Sequence, residues 1–347
     1  MRFALRYPRI MKLLAAFIAS AAIAASSTFA AAPTQPGLHT GVILTESSPL
    51  ASTAEIVRRT FSPLTVARIA AGHSLAGQPI DIAHETFTLY VPEHRPPQGY
   101  ALLVFVPPTE IAKVPPGWAS VLDDKGVIFV SAEHSGNDTK VESRRLPLAV
   151  IAAQQLMHDY GVDPSRVLVG GFSGGSRVAL RIALAYPDVF RGALLNSDSD
   201  PIGTTAIPLP PPDLMRRFQD SSRLYYVTGA LDPGARNMQA ASETSLQSWC
   251  VSDFHDTTVW HMGHATADQR TLSLALDILL DPAPAKREGL AECRARVERE
   301  MASEIQRVEA FIVSGDQTSA RQALTGLDTK FGGLAAAQIL ALHRKLL

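Results

Sequence analysis

Two periods of apolar residues organise the middle of the chain. Thr86 to Val91 alternates polar with apolar positions, the signature of a half-buried strand. After the turn-rich stretch Pro92 to Gly99, the run Tyr100 to Val106 is almost continuously apolar and ends at Pro107-Pro108. These two strands read as a hairpin-like pair, compatible with an antiparallel sheet edge. Gly126 to Ser131 predicts a third strand, and Leu146 to Tyr160 an amphipathic helix stopped by Gly161 before Asp163-Pro164. Val167 to Val169 is a β-branched apolar run of the buried parallel type. From Ser176 onward, Val178, Ala179, Ile182 and Ala183 recur at helical spacing. Further strands are expected at Gly192 to Asn196, Leu224 to Thr228 and Thr257 to His261. Strands alternating with helices predict an α/β fold, a mostly parallel sheet with helices on both faces.

The ends of the chain have a different character. Past Pro282 and Pro284, the residues Leu290, Val297, Met301, Ile305, Val308 and Ile312 follow a helical stripe that ends near Gly315. Two shorter helices are expected after Asp316 and after the Gly332-Gly333 break. The expected organisation is a signal peptide over residues 1–30, a disordered leader over 31–50 with Pro33, Pro36 and paired serines, an α/β domain over 51–284, and a C-terminal helical appendage over 285–347. A partner-binding module is the alternative reading of that appendage.

The first thirty residues combine Arg2, Arg6, Arg9 and Lys12 with an apolar stretch from Leu13 to Ala25 and small residues at Thr28-Phe29-Ala30. That is the pattern of a cleaved export signal, and the apolar run is short for a membrane anchor. No cysteine lies near the cleavage position, which argues against a lipoprotein signal. A periplasmic or secreted protein without a stable membrane anchor is therefore expected. Removing four basic and no acidic side chains takes the net charge from −1 to −5. Such mild acidity argues against nucleic acid or anionic membrane as a partner. The two cysteines, Cys250 and Cys293, form an even count in an oxidising compartment and are expected to pair as a staple for the appendage, with two buried thiols as the alternative. Their spacing fits no zinc pattern, so neither a metal nor a cofactor is expected.

The chemistry concentrates at Gly171-Phe172-Ser173-Gly174-Gly175, a G-x-S-x-G run between a predicted strand and a predicted helix. That context turns a weak motif into a nucleophile elbow, where the serine is presented on a sharp turn beside a helix N-terminus. The bland alternative is a glycine-rich turn with a solvated serine. A serine hydroxyl needs a base and a group that orients the base. The order Ser, acid, His is met by Asp232, in the loop after Leu224 to Thr228, and by His264, in the loop after Thr257 to His261. His261, read as a packing residue still on the strand, and His255 compete for the base role, and Asp198 and Asp200 for the acid role. Asp253 and Asp256 read as capping or turn residues, His134 as a solvated loop residue, and Trp118, Trp249 and Trp260 as core. For the oxyanion, the backbone N–H of Gly174 is one expected donor. The loop after Val106 should bring the other, but proline has no N–H, so the first donor available there is the backbone of Thr109.

With these residues the chain resembles the α/β-hydrolase superfamily and, within it, the secreted esterase and polyhydroxybutyrate-depolymerase-like group that includes feruloyl and acetylxylan esterases. The resemblance runs from about Glu85 to Leu280. It is carried by Leu89-Tyr90-Val91-Pro92, by Tyr160 to Val167 leading into Gly171 to Gly175, by Tyr186-Pro187-Asp188-Val189-Phe190, and by Gly229-Ala230-Leu231-Asp232 and Gly263-His264. Two departures stand out: Pro107-Pro108 replaces the His-Gly usual in that group, and the helical tail lies outside its pattern. The expectation is an exported serine hydrolase that cleaves small or polymeric carboxylic esters through an acyl-Ser173 intermediate. A serine peptidase on the same fold, and a non-catalytic binding protein of that fold, are the alternatives.

Overall fold

The computed structural model describes residues 33–72, 75, 77–285, 287 and 289–347, so the proposed signal segment lies outside the described residues. In chain order the elements are β1 (Gly37–Ile43), α1 (Thr53–Thr60), α2 (Pro63–Ala70), β2 (Thr86–Val91), β3 (Ala101–Val106), α3 (Trp118–Lys125) and β4 (Val127–Ala132). There follow α4 (Leu146–Tyr160), β5 (Val167–Phe172), α5 (Gly174–Ala185), β6 (Gly192–Asn196), α6 (Pro212–Ser221) and β7 (Arg223–Gly229). The last are α7 (Pro233–Ser248), β8 (Phe254–Val259), α8 (Gln269–Leu279), α9 (Leu290–Val313), α10 (Gln317–Phe331) and α11 (Ala336–Lys345).

The eight strands form one sheet in the order β1-β2-β4-β3-β5-β6-β7-β8. From β4 to β8 every neighbouring pair is parallel, while β1–β2 and β2–β4 are antiparallel. This is the α/β-hydrolase fold, with a helical region at its C-terminus. Period-2 alternation distributes the core between the two sheet faces. Leu102, Val104 and Val106 of β3 pack with α4 and α5 on one face. Ala101, Leu103 and Phe105 pack with α3 and α8 on the other.

Two sequence expectations are corrected here. Of the leader expected over residues 31–50, the described part is not disordered, because Gly37–Ile43 is the edge strand β1, in register with β2 from Gly37↔Val91 to Ile43↔Thr86. Its pattern was hidden because the strand is mostly solvent-facing and carries a register shift between His39 and Val42, with Gly41 at φ 67°. Nor do β2 and β3 pair: β4 lies between them, antiparallel to β2 and parallel to β3. Sequence adjacency favours a hairpin, but β3 and β4 are joined by the α3 crossover and pair in parallel, which leaves β2 only the outer edge of β4.

The C-terminal helices complete the core on one face. Val297, Val308, Leu324, Leu327, Phe331, Ile339 and Leu342 belong to the same apolar cluster as α4 and α5. Phe331 meets Trp249 edge-on at 5.7 Å between ring centroids. Asp328 of α10 accepts hydrogen bonds from Ser62 Oγ (2.6 Å) and Leu64 N (3.0 Å). Cys250 and Cys293 are joined in a disulfide that ties the end of α7 to α9 across 43 residues. A loop of that length corresponds to about 4 kcal/mol in the chain-entropy account.

At the other end of that face, α1 is pinned by ions. Arg59 is 5% exposed and donates to Glu55 (2.7 Å) and to Asp188 at the end of α5 (2.7 Å), while Arg58 donates to Glu55 at 2.9 Å. The Arg58 hydrogen bond, with Arg59 adding to it against the opposing effect of burial, lowers the Glu55 carboxyl from 4.5 to about 2. A depressed carboxyl contributes stability that is present above its unfolded value and lost as the pH falls through its folded one. Glu55→Gln is expected to lower unfolding stability near neutral pH by about 1 kcal/mol, with the half-exposed Arg58 limiting the effect. The difference from wild type, measured by denaturant midpoint, should close between pH 4.5 and about 2. Intact mass without reductant is expected to be two hydrogens below the reduced form, and Cys250→Ser is expected to reduce stability by about 2–4 kcal/mol.

Candidate active site

Parallel strands deliver their following loops to one end of the sheet, where clefts form. At that end β5 runs into Ser173, whose backbone holds φ 55° and ψ −127° before α5 begins. A non-glycine residue in that region is strained, and the strain persists only where surroundings enforce it. The enforcement is backbone-on-backbone contact. A Cβ on Gly171 would lie 2.3 Å from the Gly175 carbonyl, and one on Gly175 only 2.0 Å from the Val106 carbonyl oxygen. The tight turn therefore admits glycine alone at both places. Ser173 N–H donates to Asn196 O at 3.0 Å, which fastens the elbow to the end of β6.

His264 Nε2 lies 2.8 Å from Ser173 Oγ, and His264 Nδ1 lies 2.6 Å from Asp232 Oδ2. With the proton on Nδ1 donated to the carboxylate, Nε2 is left to accept from the serine hydroxyl. The other Asp232 oxygen caps α7, accepting from Ala235 N at 3.0 Å. Burial opposes charge on Asp232, but the Ala235 amide and His264 outweigh it and hold the carboxyl below its ordinary value. The acid thus stays ionised, and its rotation is blocked by the helix that it caps.

The histidine loop is fixed from several sides. Leu231 N donates to Met262 O (3.0 Å), Ser197 Oγ to Ala265 O (3.1 Å) and Trp118 Nε1 to Ala267 O (2.8 Å). The Phe172 ring lies 5.0 Å from the His264 ring. Asn196 is fully buried and joins both halves of the site: its Nδ2 donates to Gly171 O (3.0 Å), and its Oδ1 accepts from Ala267 N (2.9 Å).

Beside Ser173 lies a cavity of about 370 Å³ lined by Asn137, Arg145, Gly174, Arg177, Arg181 and Asp198, among others. Arg177 is paired with Asp200 (2.8 Å) and Arg181 with Glu142. Burial raises the Asp198 carboxyl above its ordinary value, with His264 and Arg177 opposing. Arg145, brought in by a π-helical turn at Val141–Arg145, is 3% exposed and donates to Pro107 O at 2.7 Å. Burial pushes its guanidinium down to about 10.

The structure brings Ser173, Asp232, His264 and Gly174 together; of the competitors, Asp198 lines the same cavity without a hydrogen bond to His264, and the others are engaged or placed elsewhere. Asp200 is engaged by Arg177, and His255 sits 3.1 Å from Asp253 and stacks on Tyr225. Asp253 is not a turn residue but the buried partner of Arg223 at 2.9 Å. His261 is not on the strand, since β8 ends at Val259, and it is exposed. The strand starts three residues and ends two residues earlier than its apolar pattern indicates because β8 is an edge strand with a half-exposed face. Trp260 is not core but 81% exposed, in a loop whose backbone pairs with the exposed loop at Leu231. Thr109 is exposed, its hydroxyl turned to Ile111 O, and it does not line the cavity at Ser173. Asn137, Arg145, Asn196 and Ser197 carry no motif; the cue for Asn196 and Ser197 is their position at the end of β6, and Asn137 and Arg145 lie in the long connection from β4 to α4.

No family model matches the chain, and no curated protein sequence matches it. Solved structures with a similar fold include an S-formylglutathione hydrolase from Staphylococcus aureus, at 10% identity and TM-score 0.48 over 70% of this chain and 99% of that one. An α/β hydrolase from a Medee basin deep-sea metagenome library aligns at 16% identity and TM-score 0.45, over 59% of this chain and 96% of that one. A thermostable esterase aligns at 15% identity and TM-score 0.40, and this chain spans only 56% of its length, with 56% of this chain covered. The strand order, the strained turn at Ser173 and the placement of the loops define the fold independently of these distant likenesses. Asn196→Ala is expected to leave the buried Ala267 N–H without its acceptor and cost about 1–3 kcal/mol in denaturant unfolding. It should also slow modification of Ser173 by a serine-directed probe.

Proposed function

We propose that the protein is an exported serine hydrolase that cleaves carboxylic esters, of the secreted esterase and polyhydroxybutyrate-depolymerase-like kind. The observation that supports this reading is the continuous chain from Asp232 through His264 to Ser173 Oγ at 2.6 and 2.8 Å, ending on a serine in an enforced elbow. Ser173 Oγ attacks the ester carbonyl carbon, forming an Oγ–C bond while the carbonyl π pair moves onto oxygen. His264 Nε2 takes the hydroxyl proton, and Asp232 stabilises the imidazolium without accepting that proton. The tetrahedral intermediate collapses, the bond to the leaving alkoxide breaks, and His264 delivers its proton to that oxygen. Water then repeats the sequence on the acyl-enzyme, giving the acid and free Ser173.

Each residue has a separate duty in this scheme. The Gly174 N–H, in the first turn of α5, has no helical acceptor and faces the developing oxyanion with the helix dipole behind it. The basic, apolar and small-residue pattern of residues 1–30 supports the export part of the proposal.

A fluorophosphonate probe is expected to label wild type on Ser173 and to leave Ser173→Ala and His264→Ala unlabelled. Folded wild type that does not react would overturn the proposal. Asp232→Asn should keep the fold and lower turnover by about 10⁴-fold, because the imidazole loses its orienting acceptor. Parallel assays on short acyl esters and peptide amides separate esterase from peptidase, with hydrolysis of esters alone expected.

A further inference from the structure

We propose that the side-chain amide of Asn137 is the second donor of the oxyanion hole, standing in for the backbone N–H that Pro107-Pro108 cannot give. The proposal rests on the hydrolase reading of Ser173 and deepens it. A tetrahedral oxyanion needs preorganised donors aimed at the oxygen that becomes charged. The Gly174 N–H supplies one. In the β3 loop, positions 107 and 108 have no N–H, and Thr109 lies outside the cavity that Ser173 lines.

Asn137 occupies the vacant place. It lines the cavity together with Ser173 and Gly174. Its carboxamide lies on the Gly174 backbone: a Cβ at residue 174 would fall 2.3 Å from Oδ1, 2.8 Å from Cγ and 2.9 Å from Nδ2. The amide that follows the nucleophile and the Asn137 carboxamide are therefore immediate neighbours. No hydrogen bond within the described residues engages the Asn137 side chain, and the residue is exposed, so its Nδ2 protons are available to substrate. A half-turn of the carboxamide exchanges Oδ1 and Nδ2 at nearly constant shape, and a developing negative charge selects Nδ2.

The backbone beneath Asn137 is held by the same proline turn. Asn137 N–H donates to Pro108 O at 3.0 Å. A Cβ on the preceding Gly136 would lie 2.8 Å from the Thr109 carbonyl carbon. Arg145 fixes the next carbonyl along, that of Pro107. The two prolines thus remove a donor from their own loop and anchor the loop that brings another. Gly174 gains a reason of its own, because any side chain there would displace the carboxamide.

The test uses the full chain, p-nitrophenyl acetate as substrate, and a trifluoromethyl ketone that adds Ser173 Oγ to form a tetrahedral alkoxide. Asn137→Ala is expected to lower kcat by about 10²–10³-fold with KM changed by less than about threefold. Affinity for the ketone should fall by a factor similar to that in kcat/KM, with the thermal midpoint unchanged, a pattern that a merely structural role would not produce. Gly174→Ala should give the same loss by displacing Asn137, and the double variant should be no worse than either single one. If Asn137→Ala keeps kcat and ketone affinity within about threefold of wild type while wild type is labelled and active, the donor is elsewhere and the hydrolase reading stands. If wild type neither takes the fluorophosphonate label nor hydrolyses the ester, the hydrolase reading fails, and the oxyanion assignment fails with it.

Discussion

Everything at the candidate site depends on one close backbone contact. The start of α5 presses against the ends of β3 and β5, with Gly175 against the Val106 carbonyl and Gly171 against Gly175. No side chain larger than hydrogen fits between them, so the chain must leave β5 through a left-handed serine. That conformation turns Ser173 Oγ out of the sheet toward His264 and leaves the first amides of α5 without helical acceptors. Asn196 carries the constraint across the sheet, since its backbone accepts from Ser173 and its side chain bridges Gly171 to the histidine loop.

The charged groups follow the same economy of position. Asp232 serves two structures with two oxygens, capping α7 with one and holding His264 with the other. The cavity beside Ser173 is lined by several charged groups, of which Arg177 pairs with Asp200, Arg181 with Glu142 outside the lining, and Arg145 donates to the Pro107 carbonyl. These pairs form walls and leave the uncharged carboxamide of Asn137 as the donor nearest Gly174. A neutral donor next to a developing anion avoids the desolvation cost that a free guanidinium would carry at the same place.

The sequence pattern reached the parts of the fold in which local and global preferences agree. Strands β2 and β6 and helix α4 have the same limits in the structure as in the hydrophobic pattern, because each has a glycine or proline at one end and a mostly buried apolar face. Ser173, Asp232 and His264 were legible because the hydrolase order places each after a recognisable strand. Edge strands were not: β1 is glycine-interrupted and mostly exposed, and β8 keeps one half-exposed face, so periodicity misplaced one and missed the other. Asn137, Asn196 and Trp260 were illegible for another reason. Their roles depend on which loops meet in space, and a single Asn or Trp in a loop has no period to betray it.

The central claim is that Ser173 becomes covalently acylated. Rapid mixing of the full-length protein with p-nitrophenyl acetate, followed by acid quench and peptide mass mapping, tests it most directly. The account predicts a burst of one p-nitrophenol per chain, with a single acetyl group on the peptide that contains Ser173. The quench is repeated with a carbamate ester, whose carbamoyl-enzyme deacylates slowly, and a carbamoyl group on Ser173 is expected. An adduct on another residue, or hydrolysis of the acetate with no carbamoyl group on Ser173, would contradict it.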